Sequence, residues 1–289
     1  MILSETKTFQ RLTTALSLQS DKRRVILLSG QPYLRSNVYR IDVPDAKIYW
    51  SVLFPSYSPP DYTDPSLSGK SWADGPISLN SSFKWNSLDG SVDRLSYIQL
   101  SMFYFFLYFC YFLYLLVFDG RPLNPMGRTG LRGRGVLGRW GPNHAADPIV
   151  SRYFKGHLQF IGIQRSDTGE WAIPGGMIDP GEMVSHTLKR EFTEEVLDGI
   201  DDKRLNSFWE KGVELYRGYV DDPRNTDNSW METIVVNFHD HDGILKDMQL
   251  KAGSDAINVR WIEISANEKF YASHGDFIRL LADHHKIPI

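Results

Sequence analysis

A chain of 289 residues, 42% hydrophobic and 23% charged, has an ordinary globular balance and is long enough for one large domain or two modest ones. A formal net charge of −3 excludes a global basic field for nucleic acid, so no nucleic-acid partner is expected. The single cysteine, Cys110, excludes an intramolecular disulfide and a cysteine-built metal site, and an intracellular, reducing compartment fits.

Residues 1–24 are rich in Ser and Thr and carry Lys7, Arg11, Lys22, Arg23 and Arg24, interrupted by Glu5 and Asp21. They have no apolar core of the secretory kind. A mitochondrial transit segment and a plain polar N-terminus are the two readings, so mitochondrion and cytoplasm are both open as compartments. Residues 25–94 hold short apolar pieces separated by turns rich in Pro, Ser and Asp, such as SPPDYTDPS at 58–66. That pattern predicts an N-terminal subdomain of short strands and ordered loops. Trp50, Trp72 and Trp85 predict that it packs rather than stays disordered.

Residues 95–118 carry no charge, and 102–118 read MFYFFLYFCYFLYLLVF between Arg94 and Asp119. The run is long enough to cross a bilayer as a helix. Three readings stand: a membrane helix, a buried or surface-docked helix, or an insert foreign to the working protein. Membrane contact is therefore expected, if anywhere, through 95–118. Residues 119–144 form a Gly- and Arg-rich connecting stretch with Arg128, Arg132, Arg134 and Arg139. It reads either as a solvated basic linker or as a clamp whose arginines contact a ligand or another part of the chain.

The second half, 145–289, alternates cleanly. Strands are predicted over 148–154 and 157–164, joined by a hairpin at Lys155-Gly156, and over 171–174 before the Gly175-Gly176 turn. A helix follows, then strands over 213–220 and 230–239 with a polar loop at 221–229, a strand over 259–264 and a helix over 275–285. The order is that of an α/β domain.

The chemistry concentrates in GMIDPGEMVSHTLKREFTEEVLD at 176–198. Glu182 lies six residues after Gly176, Arg190 eight further on, followed by Glu191, Phe192, Thr193, Glu194 and Glu195. Pro180-Gly181 punctuates the entry to a helix, with Asp179 as its predicted cap. On that helix Glu191 and Glu195 share a face beside Glu194. Like charges so spaced cost roughly 0.2–0.5 kcal/mol per pair, a cost that a cation removes. Mg²⁺, which takes a few carboxylates plus waters and substrate phosphates, suits the arrangement. Leu188, Phe192 and Val196 make an apolar row that would bury the helix.

This spacing resembles the Nudix box: a glycine, a glutamate six residues on, and then, after seven more, Arg-Glu-apolar-x-Glu-Glu-x-Gly-apolar. The match holds through Glu195 and departs where Leu197 and Asp198 replace the last glycine and apolar residue. Stretches 127–150, 171–182, 219–233 and 271–274 are similar to the ADP-ribose-hydrolysing branch of that family and to a related domain fused to an ADP-ribose-gated cation channel. The similarity runs from about Gln31 to the end, excluding roughly 96–118. In that branch the box glycine is commonly replaced.

The resemblance implies a Nudix α/β/α sandwich preceded by a smaller N-terminal strand-and-loop region. It implies Mg²⁺-dependent cleavage of ADP-ribose, or a similar nucleoside diphosphate derivative, with Mn²⁺ able to substitute. Glu191 and Glu195 would hold metal, with Glu194 a third or shared ligand, and Gly176, Glu182 and Arg190 would support them. Asp222, Arg224, Tyr271 and His274 would contact this small nucleotide-sugar substrate. Asp255 is the candidate general base by chain order, with Asp227, Glu232 or one of the box glutamates Glu191, Glu194 and Glu195 as rivals. The alternative is a module that senses ADP-ribose without cleaving it; the intact Arg190-Glu191-Phe192 favours an enzyme.

Overall fold

A computed structural model describes residues 31–78, 82–98, 117–197, 205–246, 248–253, 256–264 and 269–288. The N-terminal segment 1–24, the middle of the apolar run at 99–116, and Asp255 lie outside the described residues. The chain divides into two units: residues up to Asn143 with Gly218–Glu232, and His144–Arg217 with the residues from Thr233 onward.

In the first unit the turn-rich sequence yields short strands: β1 (Asp61–Thr63), β2 (Leu88–Asp89), β3 (Val92–Asp93), β4 (Val117–Phe118), β5 (Arg121–Pro122) and β6 (Arg132–Gly135). β1 pairs in parallel with β6, while β2–β3 and β4–β5 are antiparallel. The Gly- and Arg-rich stretch is not a solvated linker. Gly127, Gly130 and Gly133 all have positive φ, and a Cβ at each would collide with the carbonyl of Ile48, Ile41 or Tyr62 respectively. Only glycine permits that approach of two backbones. Arg128 spans the gap, donating to the carbonyls of Lys47 and Tyr49 at 2.7 Å and of Val52 at 3.1 Å. The arginine thus satisfies loop carbonyls that the short strands leave unpaired.

Asp74 is the charged hub of this unit. It accepts Arg94 Nη1 and Nη2 at 2.8 and 3.0 Å, Arg139 Nη1 at 2.8 Å and the Trp140 N–H at 2.9 Å. The Arg94 and Asp74 side chains are 3% and 2% exposed, so neither charge has water to fall back on. Asp74→Ala should therefore cost about 3–5 kcal/mol, because it leaves the buried Arg94 guanidinium with Asp89 as its one remaining carboxylate partner. Urea unfolding checks this; a loss under about 1 kcal/mol, typical of an exposed ion pair, would contradict it.

The second unit follows the predicted α/β order. Its strands are β7 (Gly141–Phe154), which begins in the first unit, β8 (His157–Arg165), β9 (Trp171–Ala172), β10 (Gly176–Met177), β11 (Val213–Tyr219), β12 (Ser229–His239) and β13 (Ala256–Glu263). The helices are α1 (Val184–Val196), α2 (Asn206–Trp209) and α3 (His274–His284). The sheet order is β11-β12-β7-β8-β13, with β10 beside β7 and β9 beside β8. β7 and β8 form the expected hairpin, with Phe154 opposite His157.

The core explains why α1 is a helix. Leu188, Phe192 and Val196 are 3%, 0% and 0% exposed, each such burial contributing about 1.5–3 kcal/mol. Phe192 meets Trp209 edge-on at 5.3 Å, and Trp209 meets Phe238 at 4.7 Å. The helix starts later than its sequence suggests. Met183 is its N-cap, with no side-chain cap, and Asp179 does not cap it. Asp179 instead closes the preceding turn, exchanging bonds with Glu182 around Gly181 at φ +81°. At the other end Lys251 and Gly253 N–H groups donate to Val196 and Glu195 carbonyls at 2.8 and 3.1 Å. Leu197 sits there at φ −114°, a conformation that needs no glycine. Its departure from the box pattern is therefore without steric cost.

Candidate active site

The acidic face of α1 is assembled by its neighbours. β7 pairs Ala146 with Gly176 and Ala145 with Met177, which holds the glycine turn beside the helix. Arg190 ties the arrangement together. Its Nε and Nη2 each donate to Glu182 at 3.0 Å, Nη2 donates to the Met177 carbonyl at 3.0 Å, and Nη1 donates to Glu191 Oε1 at 2.7 Å and Glu194 Oε2 at 3.3 Å. The fork geometry of the guanidinium makes these contacts compatible. The bonds from Arg190 hold the Glu182 carboxyl down at about 2 and raise the guanidinium above its usual range.

Glu191 and Glu195 are poised differently. Glu191 is buried, and burial pushes its carboxyl up to about 7, although Arg190 pulls the other way. Burial pushes Glu195 up to about 8, opposed by the Gly175 N–H that donates to its Oε2 at 2.9 Å. Each is further disfavoured as an anion by the other glutamate or its neighbour and by Asp147. Glu194 is the exposed member of the set, its side chain 56% accessible. A Cβ at Gly176 would overlap the Glu191 carboxyl group, so the box glycine is the space that this carboxylate fills.

The donor chemistry suits a hard divalent cation: Glu191 and Glu195 set carboxylate oxygens one helical turn apart, each only partly offset by its Arg190 or Gly175 partner. Among the described residues no group of three or more His, Cys, Asp or Glu is set to hold a metal ion. A cation held by the two glutamates would fill its shell with water and substrate oxygens.

Tyr271 and His274 come together at the start of α3, their rings 5.9 Å apart. The Tyr271 N–H donates to the Trp171 carbonyl at 2.9 Å, and the Ile173 N–H donates to His274 Nδ1 at 2.9 Å. Both residues therefore brace the strand that enters the Gly175–Gly176 turn. Asp222 and Arg224 pair with each other in a loop of the first unit, through Nε–Oδ1 at 2.8 Å and Nη2–Oδ2 at 2.7 Å.

The rival bases are structural. Asp227 is 1% exposed and accepts the Tyr57 hydroxyl at 2.6 Å and the Thr129 N–H and hydroxyl at 2.6 and 2.9 Å. Glu232, 0% exposed, accepts from Ser96 Oγ, Tyr97 N–H and Trp230 Nε1 at 2.7, 2.5 and 2.8 Å. Neither can take a proton from a solvent-borne nucleophile without abandoning those donors.

Three residues of this neighbourhood escape sequence reasoning: Asp147, Thr233 and Arg165. Thr233 Oγ1 donates to Asp147 Oδ2 at 2.6 Å. Arg165 lies 4.4 Å over the Tyr271 ring and favours the Glu195 anion. A carboxylate inside the apolar run AADPIV is the one local signal that marked Asp147.

Comparison with known proteins gives the family. Residues 43–141 match the family model "NUDT9-like, N-terminal domain", and residues 145–281 match "NUDIX domain". A Caenorhabditis elegans protein named as a nudix hydrolase is 54% identical over 261 residues, 88% of this chain and 94% of that protein. The mitochondrial ADP-ribose pyrophosphatase of Rattus norvegicus is 47% identical over 279 residues, 87% of this chain and 76% of that protein. A transient receptor potential cation channel subfamily M member-like 2 of Nematostella vectensis is 42% identical over 88% of this chain, but over only 17% of its own length. Nudix hydrolases generally use a divalent metal. The chain, with its acidic helix, glycine turn and α/β sheet, belongs to the Nudix hydrolase family.

Proposed function

We propose that this protein hydrolyses the pyrophosphate of ADP-ribose to AMP and ribose 5-phosphate, with Mg²⁺ held by Glu191 and Glu195 and shared by Glu194. Mn²⁺ is the expected substitute. The observation that carries the reading is the Glu191–Glu195 pair, one helical turn apart and fixed by Arg190 and Gly175. Its substrate comes from the likeness to the rat pyrophosphatase. When bound, the cation neutralises charge on phosphoryl oxygens. The chain's own part is positional. Arg190 and Glu182 keep Glu191 aimed, the Gly175 N–H keeps Glu195 aimed, and Gly176 leaves room for the Glu191 carboxyl.

Asp255 remains the proposed base, as the carboxylate that follows the segment capping α1. Tyr271 and His274 are proposed substrate contacts. With Nδ1 accepting from Ile173, a neutral His274 carries its proton on Nε2 and offers it as a donor. Asp222 and Arg224 are proposed as a further substrate contact. Asp222 fixes the guanidinium plane, which suits a phosphate. Arg224→Ala should raise KM with little change in kcat, by the roughly 1.5–3 kcal/mol of a charge-assisted bond. An unchanged KM with a lost kcat would contradict that role.

A substrate panel tests the reading. The kcat/KM should be highest on ADP-ribose, and full activity on NADH or dinucleoside polyphosphates with none on ADP-ribose would refute it. The mitochondrial relative favours a mitochondrial compartment, which localisation of a tagged full chain would check.

The apolar run should be dispensable for this chemistry. Its described flanks belong to the first unit: Ser96 and Tyr97 bond Glu232, and Val117–Phe118 pairs with Arg121–Pro122. Replacing 99–116 alone with a short polar loop keeps both anchors. It should leave kcat/KM within about twofold, since both described anchors are kept. A folded but inactive product would show that the run takes part in catalysis.

A further inference from the structure

We propose that the histidines at the end of β12 and the end of α3 form an acid-sensitive latch: neutral, they hold the C-terminal end of α3 to the sheet, and protonation releases it. His239 closes β12, His241 follows two residues on, His284 is the last residue of α3 and His285 its C-cap. The His239 ring lies 4.6 Å from that of His285 and 4.4 Å from that of His241, and the His284 and His285 rings are 5.0 Å apart. Tyr153 of β7 meets both His239 and His285 edge-on, at 5.3 and 5.8 Å. The buried stripe of α3 ends at Ala282, and the histidine rings extend its packing beyond that point.

The hydrogen bonds specify uncharged rings. Asn237 Nδ2 donates to Ser151 Oγ at 2.7 Å and to the Ile149 carbonyl at 2.9 Å, which can only accept. Asn237 Oδ1 is therefore the acceptor, and His285 Nε2, 3.1 Å away, carries a proton. Ser151 Oγ, already accepting from Asn237, turns its own hydrogen to His239 Nδ1 at 2.9 Å, which is a bare nitrogen. Protonating that nitrogen makes it a donor and turns the Ser151 hydroxyl away. It also sets a positive charge among neighbouring imidazoles. The groups facing His239 are Tyr153 from β7, His284 and His285 from α3, and His241 and Asp240 from its own segment. Asp240 favours the cation, but it also serves Arg152 of β7 and accepts the Ile244 and Leu245 N–H groups at 2.9 and 3.0 Å. The C-terminal carbonyls of α3 favour a cation too, within the last turn. Burial, then the neighbouring histidines, outweigh both and hold His239 and His285 down at about 4. An imidazole that titrates at 6.5 unfolded and at about 4 folded costs the fold nothing above pH 6.5 and progressively more as pH falls toward 4. Because α3 begins at His274, release would also disturb that residue; this consequence rests on the function proposed above.

The test compares the full chain with a double variant carrying His239→Asn and His285→Gln. Asparagine keeps an acceptor near the Nδ1 position and glutamine a donor near the Nε2 position, and neither takes up a proton. With a chelator present, the parent's melting temperature should fall more steeply between about pH 7 and pH 5, ending about 3–5 °C further down than the variant's. At about pH 5.5, hydrogen exchange in α3 peptides should be at least about tenfold faster in the parent than in the variant, while α1 peptides exchange alike. If the double variant folds poorly, either single substitution should give about half the difference. Parallel plots of melting temperature against pH would overturn the latch. So would parent exchange that is faster in α1 and α3 alike, which marks a general loss of stability. With Mg²⁺ restored, KM on ADP-ribose should rise with acid more steeply in the parent than in the variant. Released α3 with parallel KM profiles would uphold the latch and remove His274 from the substrate site.

Discussion

Glu195→Gln should lower kcat on ADP-ribose by about tenfold to hundredfold or more in saturating Mg²⁺, with the fold intact. The change is nearly isosteric and keeps an acceptor for the Gly175 N–H, so what it removes is charge. The same substitution should stabilise the metal-free protein, and the sign follows from the proton balance. The folded carboxyl sits at about 8 and the unfolded one at its ordinary 4.5. The native state therefore binds the proton more tightly, and its ionised form is penalised as pH rises from about 4.5 to about 8. Without metal, the variant should melt above the parent at pH 8 and converge with it below about pH 4.5. Added Mg²⁺ should raise the parent's melting temperature more than the variant's. Parent-like turnover, or a metal-free variant that melts lower at pH 8, would contradict the assignment.

Gly176→Ala carries the second large effect. The added methyl would occupy the volume of the Glu191 carboxyl, which Arg190 holds at 2.7 Å. Glu191 must swing away or the turn must shift off β7, where Gly176 opposes Ala146. Overpacking of this kind costs roughly 1–3 kcal/mol of stability. Because the displaced group is a proposed metal ligand, kcat should also fall by at least about tenfold, by analogy with other misplaced catalytic groups. Gly275→Ala, in the first turn of α3, is the control: the nearest atom to its Cβ would be 3.7 Å away. It should be neutral or slightly stabilising, since alanine is the better helix former. Comparable losses from both substitutions would mean that the site tolerates no change for reasons other than the Gly176–Glu191 contact.

Much of this was legible from local patterns. The row Leu188, Phe192 and Val196 placed α1, because helical periodicity and burial coincide there. The β7–β8 hairpin was legible from alternation flanking Lys155-Gly156, whose φ values are +50° and +85°. β7 nonetheless starts at Gly141, seven residues before the predicted 148. The stretch GPNHAAD does not alternate, yet it is buried throughout, so no pattern of exposure is written into it. The cap at Asp179 was misread because the Pro180-Gly181 turn completes itself before the helix begins. The Gly- and Arg-rich stretch left a linker and a clamp both open, because the bonds of Arg128 to backbone carbonyls are not displayed by composition. Asp147 and Thr233 meet through strand packing across 86 positions, beyond the reach of any local motif.

The most direct test of the hydrolase reading is product analysis by mass spectrometry on ADP-ribose, with Mg²⁺ and with a chelator. The account predicts AMP and ribose 5-phosphate in equal amounts with Mg²⁺, and neither with the chelator. ADP-ribose bound but left uncleaved in Mg²⁺ would contradict it and identify a sensing module in its place.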